Sequence, residues 1–243
     1  MTAAPRRVLV TGGGSGIGRG IAHAFADAGD RVTITGRTPA ALAETATGRD
    51  IETRVADVTD EAQVAALFGE PFDVVVANAG GGVAGRLKNL SLAAWNETLA
   101  VNLTGTFLTF REALRGMGAG GRLIAIASTA SLKGGATIPA YAAAKHGVLG
   151  LVRSVALDAG PRGITCNAVC PGFVDTPLGQ AAVDAVQARR GVPRDAAVAE
   201  VVSDNPLKRM IDVAEVAAAV LFLASPGASM VNGHALSVSG GEI

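Results

Sequence analysis

The feature that most restricts how this chain can fold is the run Thr11-Gly12-Gly13-Gly14-Ser15-Gly16-Ile17-Gly18, which follows the apolar stretch Val8–Thr11 and opens an Ala-rich segment from Ile17 to Ala28. Glycines permit a tight turn and let a ligand come close to the backbone. The helix that follows aims unpaired N–H groups and the positive end of its dipole at that turn. Strand, glycine turn and helix in this order make Gly12, Gly14, Ser15, Gly16, Ile17 and Gly18 candidates for cradling the pyrophosphate of a dinucleotide. A glycine-rich turn without a ligand is the plainer alternative.

The rest of the chain keeps this rhythm. Val8–Thr11, Val32–Thr35, Thr53–Val55, Val74–Ala77, Leu123–Ala127 and Thr165–Val169 read as strands, with Ala235–Val238 as a last edge strand. Helical patterns cover Ile17–Ala28, Pro39–Thr47, Glu61–Phe68, Ala93–Met117 with a break near Asn102–Gly105, Ala142–Ala159 and Val213–Ala224. The strands are apolar without polar alternation, as a parallel sheet covered on both faces requires. The pattern predicts an α/β fold: a doubly wound Rossmann-type parallel sheet of about seven strands, helices on both faces, one domain over residues 1–243. The segment Phe173 to Arg209, with Pro177, Pro193, Pro206 and two short helical patterns, breaks the rhythm and reads as a substrate lid.

Charge excludes some partners. Twenty-one basic residues balance twenty-one acidic ones, so the chain lacks the electrostatic footprint of a nucleic-acid binder, and no Lys/Arg cluster points to a membrane surface. No apolar run is long enough to span a bilayer, and Arg6-Arg7 is followed by too few apolar residues for a signal peptide. Cys166 and Cys170, evenly spaced on one strand face, are expected to be buried, reduced thiols. A cytoplasmic location is the resulting expectation. His23, His146 and His234 show no metal-ligand spacing, so no catalytic metal is expected.

The second strand ends in Thr35-Gly36-Arg37, with no carboxylate to accept from a ribose 2′-hydroxyl. Arg37 can stack on adenine and pair with a 2′-phosphate, which favours NADP(H) over NAD(H); its alternative is a solvated residue at a helix start. Asp57-Val58 follows the third strand, where the carboxylate can accept from an adenine amino group. Asn78-Ala79-Gly80 ends the fourth at the same sheet edge, and as capping or turn residues Asp57 and Asn78 have local explanations too. Tyr141 and Lys145 stand four apart in Tyr-Ala-Ala-Ala-Lys and share a helix face, with Ser128 thirteen residues before the tyrosine. A phenol with a pKa near 10 is a poor proton donor at neutral pH, and a neighbouring ammonium is expected to lower it towards the working range.

Taken in order, the glycine turn, Asn78-Ala-Gly80, Asn102 in Val-Asn-Leu-Thr-Gly, Ser128 with Tyr141-Ala-Ala-Ala-Lys145, and Pro171-Gly172 followed by Val174-Asp-Thr176 resemble the short-chain dehydrogenase/reductase family, single-domain branch, over essentially the whole chain. The resemblance implies that Tyr141 is the general acid in reduction and the base in oxidation, that Ser128 holds the carbonyl oxygen, and that Lys145 also binds the nicotinamide ribose. It implies that Asn102 holds a water linking Lys145 to solvent, and that Pro171, Gly172, Val174 and Thr176 line the nicotinamide and pyrophosphate. It further implies a homo-oligomer, tetramer or dimer, built through the helices around Asn102–Met117 and Tyr141–Ala159 and the C-terminal strand. Ala77, where the family often has Asn, and the ending Ser237-Val-Ser-Gly-Gly-Glu-Ile243, where an Asp commonly precedes the glycines, depart from the pattern.

Within the family the chain looks most similar to reductases of 3-oxoacyl thioesters and polyketides, so the expected partner is a small carbonyl compound or alcohol. Ala144-Lys-His-Gly-Val148 and the lid entrance also resemble 3-hydroxybutyrate dehydrogenases, but that reading goes with NAD and conflicts with Arg37. A dinucleotide-binding protein without catalysis is the alternative of another class.

Overall fold

Seven parallel strands form one sheet: β1 (Arg7–Thr11), β2 (Arg31–Gly36), β3 (Ile51–Val55), β4 (Val74–Ala77), β5 (Arg122–Ile126), β6 (Thr165–Pro171) and β7 (Ala235–Val238). In the computed structural model, which describes residues 4–82 and 84–243, they lie in the order β3-β2-β1-β4-β5-β6-β7. The doubly wound sheet read from the sequence is therefore present, with its switch point between β1 and β4, where ligands bind in such folds.

The apolar strands are explained by their two covered faces. Val8 and Val10 of β1 join the layer of α1 (Gly16–Asp27) and α9 (Val213–Ala224), packing with Ile21, Phe25, Val216 and Val220. Leu9 between them points the other way, with Val75, Leu123, Cys166 and Ala168, against Phe110 and Met117 at α5 (Gly105–Gly116) and Val148 and Val152 of α6 (Pro139–Ala159). Each such side chain contributes roughly 1.5–3 kcal/mol by leaving water, so one polar residue at Leu9 or Val10 would open one layer.

Three local findings refine the sequence reading. Helix α6 begins at Pro139 and not at Ala142, because a proline at the first helical position already has the φ a helix needs; Tyr141 thus lies in its first turn. The stretch expected as one broken helix is α4 (Leu92–Leu99) and α5 joined by a π-helical turn, Ala100–Thr104, with Asn102 buried in its middle. Residues 173–209 carry α7 (Pro177–Arg190) and α8 (Arg194–Val201), which pack on a small core of their own around Val183, Val186 and Ala197. Among the described residues no helix is long and apolar enough to cross a membrane.

Cys166 and Cys170 are free and buried on the sheet face covered by α6, and burial pushes both thiols up, that of Cys170 to about 11. The native protein should therefore give no prompt colour with a thiol-reactive disulfide reagent at pH 8, and two thiols per chain after unfolding in guanidinium. Prompt labelling of the folded protein would contradict this packing.

Candidate active site

The glycine turn is held against the end of β4 by contacts that leave no space for side chains. Gly12 has φ +65°, and a Cβ on it would lie 2.8 Å from Ala79 Cα. A Cβ on Gly18 would lie 2.3 Å from Gly12 O and 2.4 Å from Asn78 Nδ2. The Asn78 amide donates to Thr11 O at 2.9 Å and Gly12 O at 3.2 Å, while the Asn78 and Ala79 N–H groups donate to Thr11 Oγ1 at 3.0 and 3.1 Å. Asn78 is a strut under the turn as well as part of the cleft wall.

Above this base a cleft of about 350 Å³ runs from Gly36, Arg37 and Thr38 past Gly12, Gly14, Ser15, Gly16, Ile17 and Gly18 to Asn78, Ala79, Gly80, Tyr141 and Lys145. Ser15 stands extended before α1 and makes no side-chain capping bond, so it leaves the first helical N–H groups uncapped at the cleft. Gly16 has φ +49°, and a Cβ there would meet the Thr176 methyl at 3.3 Å. This turn, closed to side chains and opened by a helix N-terminus, fits the pyrophosphate of a nicotinamide dinucleotide. At the far end Arg37 is exposed on the cleft wall. Asp57 lines the same wall, but its Oδ1 already accepts from Thr59 N at 2.9 Å and Thr59 Oγ1 at 2.8 Å. Val58 is held by Gly105 of α5, whose Cβ would come within 2.8 Å of its methyl.

Tyr141, Lys145 and Ser128 come together where this cleft meets a second one of about 370 Å³. β5 stops at Ile126, and Ser128 caps the short turn Thr129–Ser131, its Oγ accepting from Ala130 N at 3.1 Å. Lys145 is buried; its Nζ donates to Ile126 O at 2.8 Å and sits 5.6 Å from the Tyr141 ring centre. The expected lowering of the Tyr141 phenol by Lys145 is not what the protein alone displays. Burial raises the phenol above its ordinary value, Ser128 draws it back in part, and burial also brings Lys145 down to about 8. Both groups share an apolar wall in which loss of hydration exceeds their mutual effect. At neutral pH the phenol keeps its proton and the lysine its charge.

Asn102 does not line either cleft. Its amide donates to Gly81 O at 2.5 Å and Thr98 O at 2.8 Å, and its Oδ1 accepts from Gly81 N at 3.2 Å. It thus ties the π turn, whose widened ladder leaves a carbonyl to satisfy, to the loop after Gly80. Its side chain is engaged by Gly81 and Thr98 in this arrangement. A Cβ on Gly80 would lie 2.7 Å from Asn102 Oδ1 and 3.4 Å from Lys145 Nζ, so Asn102 backs the lysine at one residue's remove.

The second cleft is lined by Ser128, Tyr141, Pro171, Gly172, Val174, Thr176 and Leu178. Thr176 caps α7, its Oγ1 accepting from Gly179 N at 3.2 Å. Three charged lining residues were not singled out by the sequence: Lys133, in the loop near Leu132–Ile138 that the family resemblance makes substrate-facing, Asp204, within the expected lid, and Glu242. They lie in separate stretches and carry no motif, so only their convergence in space marks them. Among the described residues no cluster of His, Cys, Asp and Glu could hold a metal ion.

Comparison with known proteins agrees with this geometry. The family model described as enoyl-(acyl carrier protein) reductase, of the short-chain dehydrogenase/reductase type, matches residues 12–242. The D-beta-hydroxybutyrate dehydrogenase of Cupriavidus necator is 35% identical over 98% of this chain and 98% of its own length. Levodione reductase of Leifsonia aquatica is 36% identical over 98% and 94%. Among solved structures, a Phe-to-Trp variant of actinorhodin polyketide ketoreductase with NADPH superimposes with a TM-score of 0.91 at 34% identity, covering 100% of this chain and 99% of that one.

Asn102→Ala would leave the buried Thr98 carbonyl and Gly81 N–H without partners. It should lower the unfolding free energy by about 2–4 kcal/mol, measured by urea denaturation; a loss below about 0.5 kcal/mol would contradict its structural role here.

Proposed function

The chain belongs to the short-chain dehydrogenase/reductase family, oxidoreductases acting on ketones and hydroxyl groups, and from that premise we propose that it moves hydride between NADP(H) and a 3-oxoacyl thioester or similar ketone. The observation that carries the reading is the wall shared by the two clefts, where Tyr141 faces both and Lys145 lies buried behind it. When bound in the first cleft, the nicotinamide supplies or accepts the hydride. In reduction Tyr141 Oη delivers its proton to the carbonyl oxygen, and Ser128 orients that oxygen by a second hydrogen bond. In oxidation Tyr141 takes the proton from the alcohol. Lys145, charged below about pH 8, stabilises the phenolate left behind and donates to the ribose.

Arg37, exposed beside Gly36 and Thr38 with no carboxylate among those neighbours, supports NADP(H) over NAD(H). A second reading, an NAD-dependent secondary-alcohol or 3-hydroxyacid dehydrogenase, is favoured by the similarity to the hydroxybutyrate enzyme. The complete Ser128, Tyr141 and Lys145 set ranks a non-catalytic dinucleotide binder below both. In this reading α7 and α8 are the lid of the substrate cleft, which Leu178 enters. The exposed Phe107 on α5, Leu157 on α6 and Met230 before β7 support assembly as a homo-oligomer, dimer or tetramer. The balanced charge and reduced thiols suit a cytoplasmic enzyme working on a small molecule.

A panel of ketones and alcohols followed at the reduced-nicotinamide absorbance should show turnover in the parent. In Tyr141→Phe it should fall by at least about a thousandfold while NADPH still binds; undiminished turnover in that variant would remove Tyr141 from the chemistry. The parent should use NADPH better than NADH, and Arg37→Asp should shift the ratio of kcat/KM values towards NADH by roughly tenfold or more. Equal efficiency with both cofactors in the parent would refute the role given to Arg37.

A further inference from the structure

The second cleft contains three charged side chains that the proton-transfer chemistry does not use. Lys133, in the loop after Ser128, pairs with Asp204 Oδ2 at 2.9 Å and with Glu242 Oε1 at 2.9 Å. All three line the cleft together with Ser128 and Tyr141. Asp204 lies just beyond α8 and Glu242 beyond β7, so the cluster joins three separate stretches of chain.

Its position is fixed by packing. A Cβ on Gly240, which has φ +63°, would lie 2.1 Å from Asn205 Oδ1, and one on Gly241, with φ +90°, would lie 3.3 Å from Pro206. Asn205 is buried and donates to Arg209 O at 2.9 Å while accepting from Leu207 N at 2.8 Å. The tail therefore wraps closely around the base of the α7–α8 segment. Glu242 is carried inward with its side chain 8% exposed, and a Cβ on Gly172 would come within 2.7 Å of its Oε2. A carboxylate thus stands beside the Pro171-Gly172 floor of the cleft.

Among the described lining residues these three are the charged ones, two carboxylates and one ammonium, for a net charge of −1. The ammonium is already held by both carboxylates, so it has no unshared charge to offer a third. We propose that the Lys133, Asp204 and Glu242 cluster makes this cleft select carbonyl compounds that are uncharged where they occupy it, and reject those bearing a free carboxylate there. The inference rests on the reading of the second cleft as the substrate site. An entering carboxylate meets net negative charge, of which the Glu242 carboxylate, 8% exposed, is screened less than in water while Asp204, 72% exposed, is screened by solvent; a ketone, ester or thioester meets only dipoles. It places a neutral ketone or thioester ahead of a 3-hydroxy acid as substrate.

The test compares ethyl 4-oxocyclohexanecarboxylate with its free acid, which differ in charge at a distance from the same ketone. Binding is measured by calorimetry on the full chain loaded with NADP⁺, and turnover separately with NADPH. The ester should bind at least about tenfold more tightly than the acid. Glu242→Gln should bring the ratio down towards unity, with Asp204→Asn as the second way to remove one carboxylate should the tail loosen. Lys133→Met should raise the ratio, because it removes the cation. Mere loosening of the cleft would move all variants in one direction. Equal or tighter binding of the acid by the parent, binding of neither compound, or a shift of the same sign in Glu242→Gln and Lys133→Met overturns the proposal. Absence of turnover with the expected binding ratios overturns the catalytic reading instead and supports the charge selection.

Discussion

The structure depends on one close contact, between the turn Gly12–Gly18 and the end of β4. At the switch point of the sheet, β1 and β4 are neighbours, and the loops that leave them diverge to opposite layers. Thr11 Oγ1 accepts two N–H groups from Asn78 and Ala79, and the Asn78 amide returns two bonds to Thr11 and Gly12 carbonyls. Two short polar side chains, Thr11 and Asn78, thus pin the two loops together. A Cβ at Gly12 would collide with the Ala79 backbone across the contact, and one at Gly18 with Gly12 O of its own turn and the Asn78 side chain. The space for a dinucleotide and the stability of the turn therefore come from the same omission of side chains.

From that base the protein sets proton chemistry by burial more than by ion pairing. Tyr141 and Lys145 occupy one face of the first turns of α6, against the end of β5, and neither is well hydrated. The neutral phenol is thereby favoured and is a competent donor, while the lysine lies close enough to neutrality that small changes in surroundings alter its charge. An anionic group entering beside Lys145 would strengthen the ammonium, and a cationic group would weaken it. The pair is accordingly sensitive to what fills the two clefts.

Much of this was legible in the sequence because the governing constraints are local. Apolar runs such as Val8–Val10, Val74–Ala77 and Leu123–Ile126 suit strands covered on both faces, whereas the edge strand β3, Ile-Glu-Thr-Arg-Val, is largely exposed and was legible only from its place in the alternation. The glycine turn and the Tyr141–Lys145 spacing are likewise local patterns. The π turn at Ala100–Thr104 was read only as a break, since its widened ladder has no composition of its own and shows itself through the bonds of Asn102 to Thr98 and Gly81. The direction of the Tyr141 shift was misread for a related reason: spacing reveals a neighbour's charge, but burial depends on what the remaining elements bring over the site. The pairing of Lys133 with Asp204 and Glu242 was not legible, because a loop, the lid segment and the stretch after β7 must fold before the three meet.

The two clefts therefore differ in how they are made. The dinucleotide side is built from backbone at the sheet edge, where glycine, a helix terminus and strand ends leave little freedom to vary. The opposite side is lined by side chains from the α7–α8 segment, the loop after Ser128 and the tail after β7. The tail shows both limits: Gly240 and Gly241 press on Asn205 and Pro206 and leave no space for a side chain, while the next residue, Glu242, carries charge into the cleft. The charge and shape of the second cleft can thus vary while the wall that carries Tyr141 and Lys145 is kept.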